Sequence, residues 1–109
     1  MSRRTEQWIG DILDATERCH RCSRLLGADD ELLAEMADDA VARTLQIIGE
    51  AASHLPTRVT DAHPEINWAA MRDFRNVLVH EYFGVEPEVV LEIVAVHLTP
   101  LADALRPHR

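Results

Sequence analysis

Apolar side chains recur at steps of three and four residues through four long stretches of this chain, and polar side chains fill the positions between them. This period places the apolar positions on one face of a helix. We therefore predict helices over residues 5 to about 26, 31 to 54, 68 to about 82, and from Pro87 onwards. No stretch has the alternating period of a β-strand. Four helices with short links predict an all-α fold, an antiparallel up-and-down bundle.

The residues that end the first two predicted helices are typical of helix boundaries. Gly27 breaks the first helix, and Asp29 or Asp30 offers an N-cap to the second. Pro56 ends the second helix, and residues 56–66 are predicted to form a connection. The apolar stripe of the second helix is predicted to comprise Leu32, Leu33, Met36, Ala40, Val41, Leu45, Ile48, Ala52 and Leu55.

The third and fourth helices are bounded in a similar way. Asn67 is a good N-cap for the third helix, and Pro87 is tolerated in the first turn of the fourth. Pro100 is expected to kink or end the fourth helix, because proline lacks a backbone donor and clashes with the preceding turn. Leu101 and Leu105 extend the apolar pattern by one or two further turns.

A chain of 109 residues is predicted to form a single domain, residues 1–109, around its own core. Aromatic residues make up only 5% of the chain, so leucine, isoleucine, valine and alanine must fill that core. The net charge of −8 argues against a broad basic face for nucleic acid, although it does not exclude a local basic cleft. No apolar run approaches the length of a membrane span and no signal peptide is recognised, so we expect a soluble, cytoplasmic protein.

Cys19 and Cys22 have the spacing of half a zinc site or of a redox pair. No second ligand pair follows at a suitable distance along the chain. Two small residues that face the core are therefore the simpler interpretation. The histidines outside the third helix are scattered without companions at ligand spacing, so we predict no metal site.

The third helix carries the residues with the most chemical potential. Arg72, Asn76 and His80 follow one another at i, i+4 and i+8, so they lie on one side of the helix. Arg75 flanks this row and precedes Tyr82 by two helical turns. The opposite side is apolar and carries Phe74, Val77 and Leu78. The helix thus combines an apolar stripe for a core with a polar stripe of phosphate-binding and acid–base groups.

His80 falls in the last turn of this helix, before Gly84. The negative end of the helix dipole favours the imidazolium, whereas nearby arginines oppose it, and an imidazole between opposing fields suits proton transfer. The simpler alternatives are a histidine that binds the last carbonyl groups, a surface ion pair for Arg75 and a half-buried ring for Tyr82. Glu50 on the second helix is a candidate buried partner for an arginine of the third.

The motif Arg75-(four residues)-His80-X-Tyr82 resembles that of the HEPN superfamily, as found in HepT-like toxins. Further similar blocks follow that family's order. They are residues 39–41, 47–52, 64–68 and 82–85. The resemblance covers nearly the whole chain. It implies a HEPN-like helical bundle that forms a homodimer, with two copies of the Arg/His helix across one cleft.

The resemblance also implies an activity and a set of site residues. HepT-like toxins are similar to metal-independent endoribonucleases that need no cofactor. Carried over to this sequence, Arg75 and His80 would be catalytic, and Asn76 matches the polar residue commonly found after the arginine. From its place on the polar stripe, Arg72 is predicted to support the RNA phosphate together with Asn76. Tyr82 would accept AMP from a partner, a minimal nucleotidyltransferase antitoxin of the MntA type, which neutralises the toxin.

A helical interaction module is the alternative from a different class. In that interpretation the same bundle binds a nucleotidyltransferase or a nucleotide and cleaves nothing. The pattern of the residues is compatible with both interpretations.

Overall fold

The computed structural model describes residues 3–73 and 87–109, and within these ranges the chain is all-α without any strand. The elements in chain order are α1 (Thr5–Ser23), α2 (Glu31–Ser53), the short α3 (Thr57–Thr60), the described start of α4 (residues 68–73), α5 (Pro87–Ile93), a π-helical turn (Val94–Leu98), α6 (Thr99–Leu105) and a 3₁₀ turn (Arg106–His108). The predicted fold class is thereby confirmed.

The first two helices pack against each other as an antiparallel hairpin. Gly27, in the turn after α1, has a φ of 73°, and the side chain of Asp30 accepts a hydrogen bond from the backbone N–H of Leu33 at 3.0 Å. This interaction confirms an N-cap at one of the two aspartates expected there. The antiparallel direction is evident from Trp8 near the start of α1, whose ring stacks on His54 directly after α2, with ring centroids 4.2 Å apart.

An aliphatic core lies between α1, α2 and the C-terminal helices. The side chains without any exposed surface include Ile12, Val41, Ile48, Leu98, Leu101 and Leu105. Trp8 and Trp68 pack only at the edge of this core. Leucine, isoleucine, valine and alanine therefore supply most of the buried apolar surface that stabilises the fold, as the composition predicts.

The start of α2 differs from the prediction. Leu32, Leu33 and Met36 are 63%, 42% and 58% exposed, although they belong to the predicted apolar stripe. Burial on α2 begins at Ala37. The helical period determines which side chains share a face, but it does not determine how far the neighbouring elements extend along that face.

The predicted connection over residues 56–66 contains a helix that the pattern does not reveal. Pro56 is the extended N-cap of α3, and Val59 within that single turn is 1% exposed. Four residues are too few to show a helical period, so the prediction of a plain connection was incomplete.

The chain continues as a helix past Pro100. A π-helical turn, Val94–Leu98, precedes the proline, and α6 follows with Leu101 and Leu105 fully buried. A proline ring would clash with the carbonyl group four residues earlier in a regular α-helix. The wider π turn accommodates the proline, so this helix is neither ended nor separated from the core. Within the described residues, none of the helices combines the length and the apolar character that crossing a bilayer requires.

Candidate active site

Four of the five predicted site residues, Arg75, Asn76, His80 and Tyr82, lie outside the described residues. Arg72 lies within them, at the start of α4, and its side chain is exposed. The structure thus describes the base from which the predicted site helix extends. The roles of all five residues stay predictions.

Three hydrogen bonds fix the beginning of α4. Asn67 is its N-cap, because its side-chain Oδ1 accepts a hydrogen bond from the backbone N–H of Ala70 at 3.0 Å. The indole N–H of Trp68 donates to the backbone carbonyl groups of Thr60 at 3.1 Å and His63 at 3.0 Å. The first turn of α4 is therefore attached both to its own cap and to the connection that follows α2.

This connection is in turn joined to the C-terminal segment. The Nε2 atoms of His63 and His108 lie 2.7 Å apart, and Nδ1 of His63 lies 3.3 Å from Oε1 of Glu65. His63 lies in the connection before α4, and His108 lies in the C-terminal 3₁₀ turn. Their contact therefore links these two segments. The base of the site helix thereby has a defined place in the fold.

The start of α4 lies close to the backbone of α2. A Cβ atom at Gly49 of α2 would lie 3.2 Å from the backbone oxygen of Met71 and 3.5 Å from that of Arg72. Met71 is 1% exposed and belongs to the core, whereas Arg72 is exposed. Glycine thus lets the backbone at the start of α4 approach α2, with Met71 inward and Arg72 outward.

An open depression of about 590 Å³ lies beside the start of α4. Its lining consists of Asn67, Ala69, Ala70, Arg72 and Asp73. Small alanine side chains leave space next to the guanidinium group of Arg72. An anionic ligand could reach this guanidinium group from solvent.

The two helix-interior glycines of the long hairpin make a matched pair for testing this close approach. Gly49→Ala is expected to displace the start of α4, because the neighbouring atoms belong to the backbone and cannot rotate away. We expect a loss of about 1 kcal/mol in the free energy of unfolding together with lower activity. Gly10→Ala in α1 has no heavy atom within 4 Å of the new Cβ and should raise stability by about 0.5–1 kcal/mol. Urea denaturation measures both values, and equal effects of the two substitutions would contradict this interpretation.

The prediction that Glu50 is a buried partner of an arginine was wrong. Its side chain is 60% exposed, and Oε1 lies 3.2 Å from Nε2 of His54, one turn later. The residue of α2 that approaches α4 is Gly49, which directly precedes Glu50. The side chain of Glu50 points to solvent, where a helical i, i+4 pair is the ordinary arrangement.

The cysteines lie in the packed interior of the hairpin. Cys19 has no exposed surface, Cys22 is partly buried against the core, and both are free thiols. Burial raises the pKa of Cys19, while a side-chain hydrogen bond with Thr44 acts in the opposite direction. A thiol held in its protonated form is a poor nucleophile and metal ligand. The described residues contain no group of three or more His, Cys, Asp or Glu side chains that could hold a metal ion.

Comparison with known proteins gives a family match over most of the chain. A family model described as ribonuclease HepT-like matches residues 12–107, a range that includes every predicted site residue. A protein from Thermococcus cleftensis named "Probable ribonuclease HepT" is 36% identical over 94 residues, which are 86% of this chain and 86% of that protein.

Two proteins of Methanocaldococcus jannaschii are also similar to this chain, and both are named as candidate RNases. One is 36% identical over 80% of this chain and 72% of its own length. The other is 30% identical over 86% of this chain and 87% of its own length. No solved structure gives a significant match.

Proposed function

Because this chain belongs to the ribonuclease HepT-like family, we propose that it is the toxin of a toxin–antitoxin pair and that it cleaves RNA internally without a metal ion. The observation that carries this proposal is the family match over residues 12–107, which spans Arg75, His80 and Tyr82. The similar proteins of Thermococcus cleftensis and Methanocaldococcus jannaschii are named as ribonucleases, which supports the RNase part of this proposal.

The proposed reaction needs a base, an acid and positive charge. The base removes the proton of a 2′-hydroxyl, and the 2′-oxygen then attacks the adjacent phosphorus. The acid protonates the 5′-oxygen as its bond to phosphorus breaks. The products are a 2′,3′-cyclic phosphate and a 5′-hydroxyl, so the atoms balance without water or metal. A guanidinium group suits the phosphorane, because its planar fork binds two oxygens at once.

One chain offers one imidazole in the motif, whereas the reaction uses two proton-transfer groups. We propose a homodimer in which His80 and Arg75 of both protomers meet in one cleft, with Arg72 and Asn76 holding the RNA phosphate.

A nucleotidyltransferase antitoxin is the proposed partner. It would transfer AMP from ATP to the phenol oxygen of Tyr82, with pyrophosphate as the leaving group. Tyr82 lies two residues after His80, so the added phosphate would place a bulky anion beside the catalytic groups. That anion would block RNA sterically and would occupy Arg75 electrostatically.

The experiment that tests the proposed activity uses the purified protein and a single-stranded RNA in a buffer with excess EDTA. We expect internal cleavage that leaves 2′,3′-cyclic phosphate and 5′-hydroxyl ends, identified by end-labelling and mass spectrometry. Cleavage that appears only after Mg²⁺ or Mn²⁺ is added would contradict the metal-independent reaction. Intact RNA under all conditions would favour the interaction module instead.

A further inference from the structure

A groove of about 690 Å³ lies between the second half of α1 and the C-terminal segment formed by α6 and the 3₁₀ turn. Arg21 and Arg24 line it from the α1 side, and Arg106 and Arg109 line it from the other side. Glu17 is the acidic residue in this lining. Four arginines and one glutamate give the lining a net charge of +3, on a chain whose net charge is −8. We call this feature the arginine groove.

The guanidinium groups of the arginine groove are available to a ligand. Arg21 and Arg24 form no ion pair with any residue in the described ranges. Arg106 pairs with Asp103, and Arg109 lies 3.4 Å from Asp14, but all four of these side chains are at least 60% exposed. Ion pairs that are this exposed are weak, so a phosphate can replace the aspartates.

A second observation in the arginine groove points to a ligand with hydrogen-bond acceptors. Thr16 lines the groove and is 2% exposed. Its Oγ1 is buried and has no hydrogen-bond partner among the described residues. Buried hydroxyl groups are nearly always paired. An acceptor bound in the groove would satisfy this hydroxyl after a rotation of the threonine side chain.

The arrangement of the basic residues fits a chain of phosphates better than a single anion. Each side of the groove presents two arginines three positions apart along the chain, so each side offers two guanidinium groups to neighbouring phosphates. His20 also lines the groove, and Leu13 and Ala102 provide an apolar surface. Bases of single-stranded RNA stack on imidazole and guanidinium planes, whereas a duplex hides these faces.

We propose that the arginine groove binds the backbone of single-stranded RNA, as a contact separate from the predicted catalytic residues. This inference rests on the proposed function, since it assumes that RNA is the substrate. The groove holds a second part of the strand while another part is cleaved. A local basic cleft on an acidic chain also concentrates its field on the bound strand.

The test measures RNA binding in a His80→Ala background, so that binding is separated from cleavage. Arg21→Gln/Arg24→Gln removes two charges from the groove. Arg18→Gln/Arg43→Gln is the matched control, because it removes two exposed arginines that do not line the groove. Fluorescence anisotropy with a labelled single-stranded RNA gives Kd over a range of salt concentrations. Circular dichroism verifies that each variant is folded.

We expect the groove variant to raise Kd about tenfold and to reduce the slope of log K against log salt by about 1.4, since each phosphate contact on a single strand contributes about 0.7. The control should change neither quantity by more than a small amount. Equal behaviour of the two variants would overturn the proposal. So would a groove variant that binds RNA normally but is no longer bound by the antitoxin, because the groove would then be a protein-binding surface.

Thr16→Val provides an independent readout in the same background. It removes an unpaired hydroxyl, so the melting temperature should stay unchanged or rise, while Kd for RNA should increase several-fold. Unchanged affinity would contradict the role given to the hydroxyl group. If the wild-type protein cleaves no RNA, the proposed enzyme function fails, and the binding measurements still decide whether the groove holds RNA.

Discussion

His80→Ala is expected to lower the rate of RNA cleavage by a factor of about 10²–10⁴, the usual contribution of a positioned general acid or base. Arg75→Ala is expected to lower this rate by about 10²–10³, since it removes the guanidinium group that would stabilise the negative charge of the developing phosphorane. The loss should appear in kcat, because both groups act mainly in the transition state. Single-turnover cleavage of a labelled RNA measures the effect.

Controls for these substitutions come from the same chain. His54→Ala replaces a histidine directly after α2 that is 48% exposed and lies outside the motif, and this variant should retain most of the activity. Toxicity on expression without the antitoxin should follow the same order as the cleavage rates. If His80→Ala cleaves RNA at the wild-type rate, the imidazole has no catalytic role and the assignment is wrong.

Ile48→Ala is expected to lower the free energy of unfolding by about 2–5 kcal/mol. Ile48 has no exposed surface and lies in the second half of α2, so truncation loses apolar burial and leaves a cavity in the aliphatic core. A loss of this size is a large fraction of the stability of a typical domain. Urea denaturation at a fixed protein concentration measures the change.

Leu32→Ala is the matched control for the core substitution. Leu32 belongs to the same helix and is also predicted from sequence to be apolar and inward, but it is 63% exposed. Its substitution should change the free energy of unfolding by less than about 0.5 kcal/mol. Similar losses for the two variants would show that the start of α2 is buried in solution, for example against a second protomer.

The parts of the fold that depend on neighbouring residues could be predicted from the sequence. The N-cap at Asn67 follows from its side-chain chemistry and is confirmed, and Asp30 is the N-cap of α2 out of the two aspartates predicted for that role. The long helices α1 and α2 follow from their apolar period, and the aliphatic core follows from the scarcity of aromatic residues. These features are local, so a single sequence carries enough information to place them.

Features that depend on contacts between distant residues could not be predicted in this way. The exposure of Leu32 depends on how far the neighbouring elements extend along α2. The path of the chain through Pro100 depends on whether α6, which follows the proline, packs against the core. The arginine groove joins Arg21 to Arg106, which are far apart in the sequence. The positions of the arginines along the sequence do not indicate that these side chains line one groove.

The predicted site falls between these two cases. Its motif is recognisable in the sequence, and Arg72 and the anchored start of α4 lie in the described structure. Arg75, Asn76, His80 and Tyr82 lie outside the described residues, so their arrangement is a prediction that rests on helical geometry and family membership.

We propose that catalysis requires two protomers, each contributing one His80 and one Arg75 to a single cleft. The most direct measurement follows specific activity and molecular mass together over a wide range of protein concentration, with EDTA present. We expect activity per chain to rise in proportion to the dimer fraction seen by analytical ultracentrifugation. Full activity per chain at concentrations where the protein is entirely monomeric would contradict it.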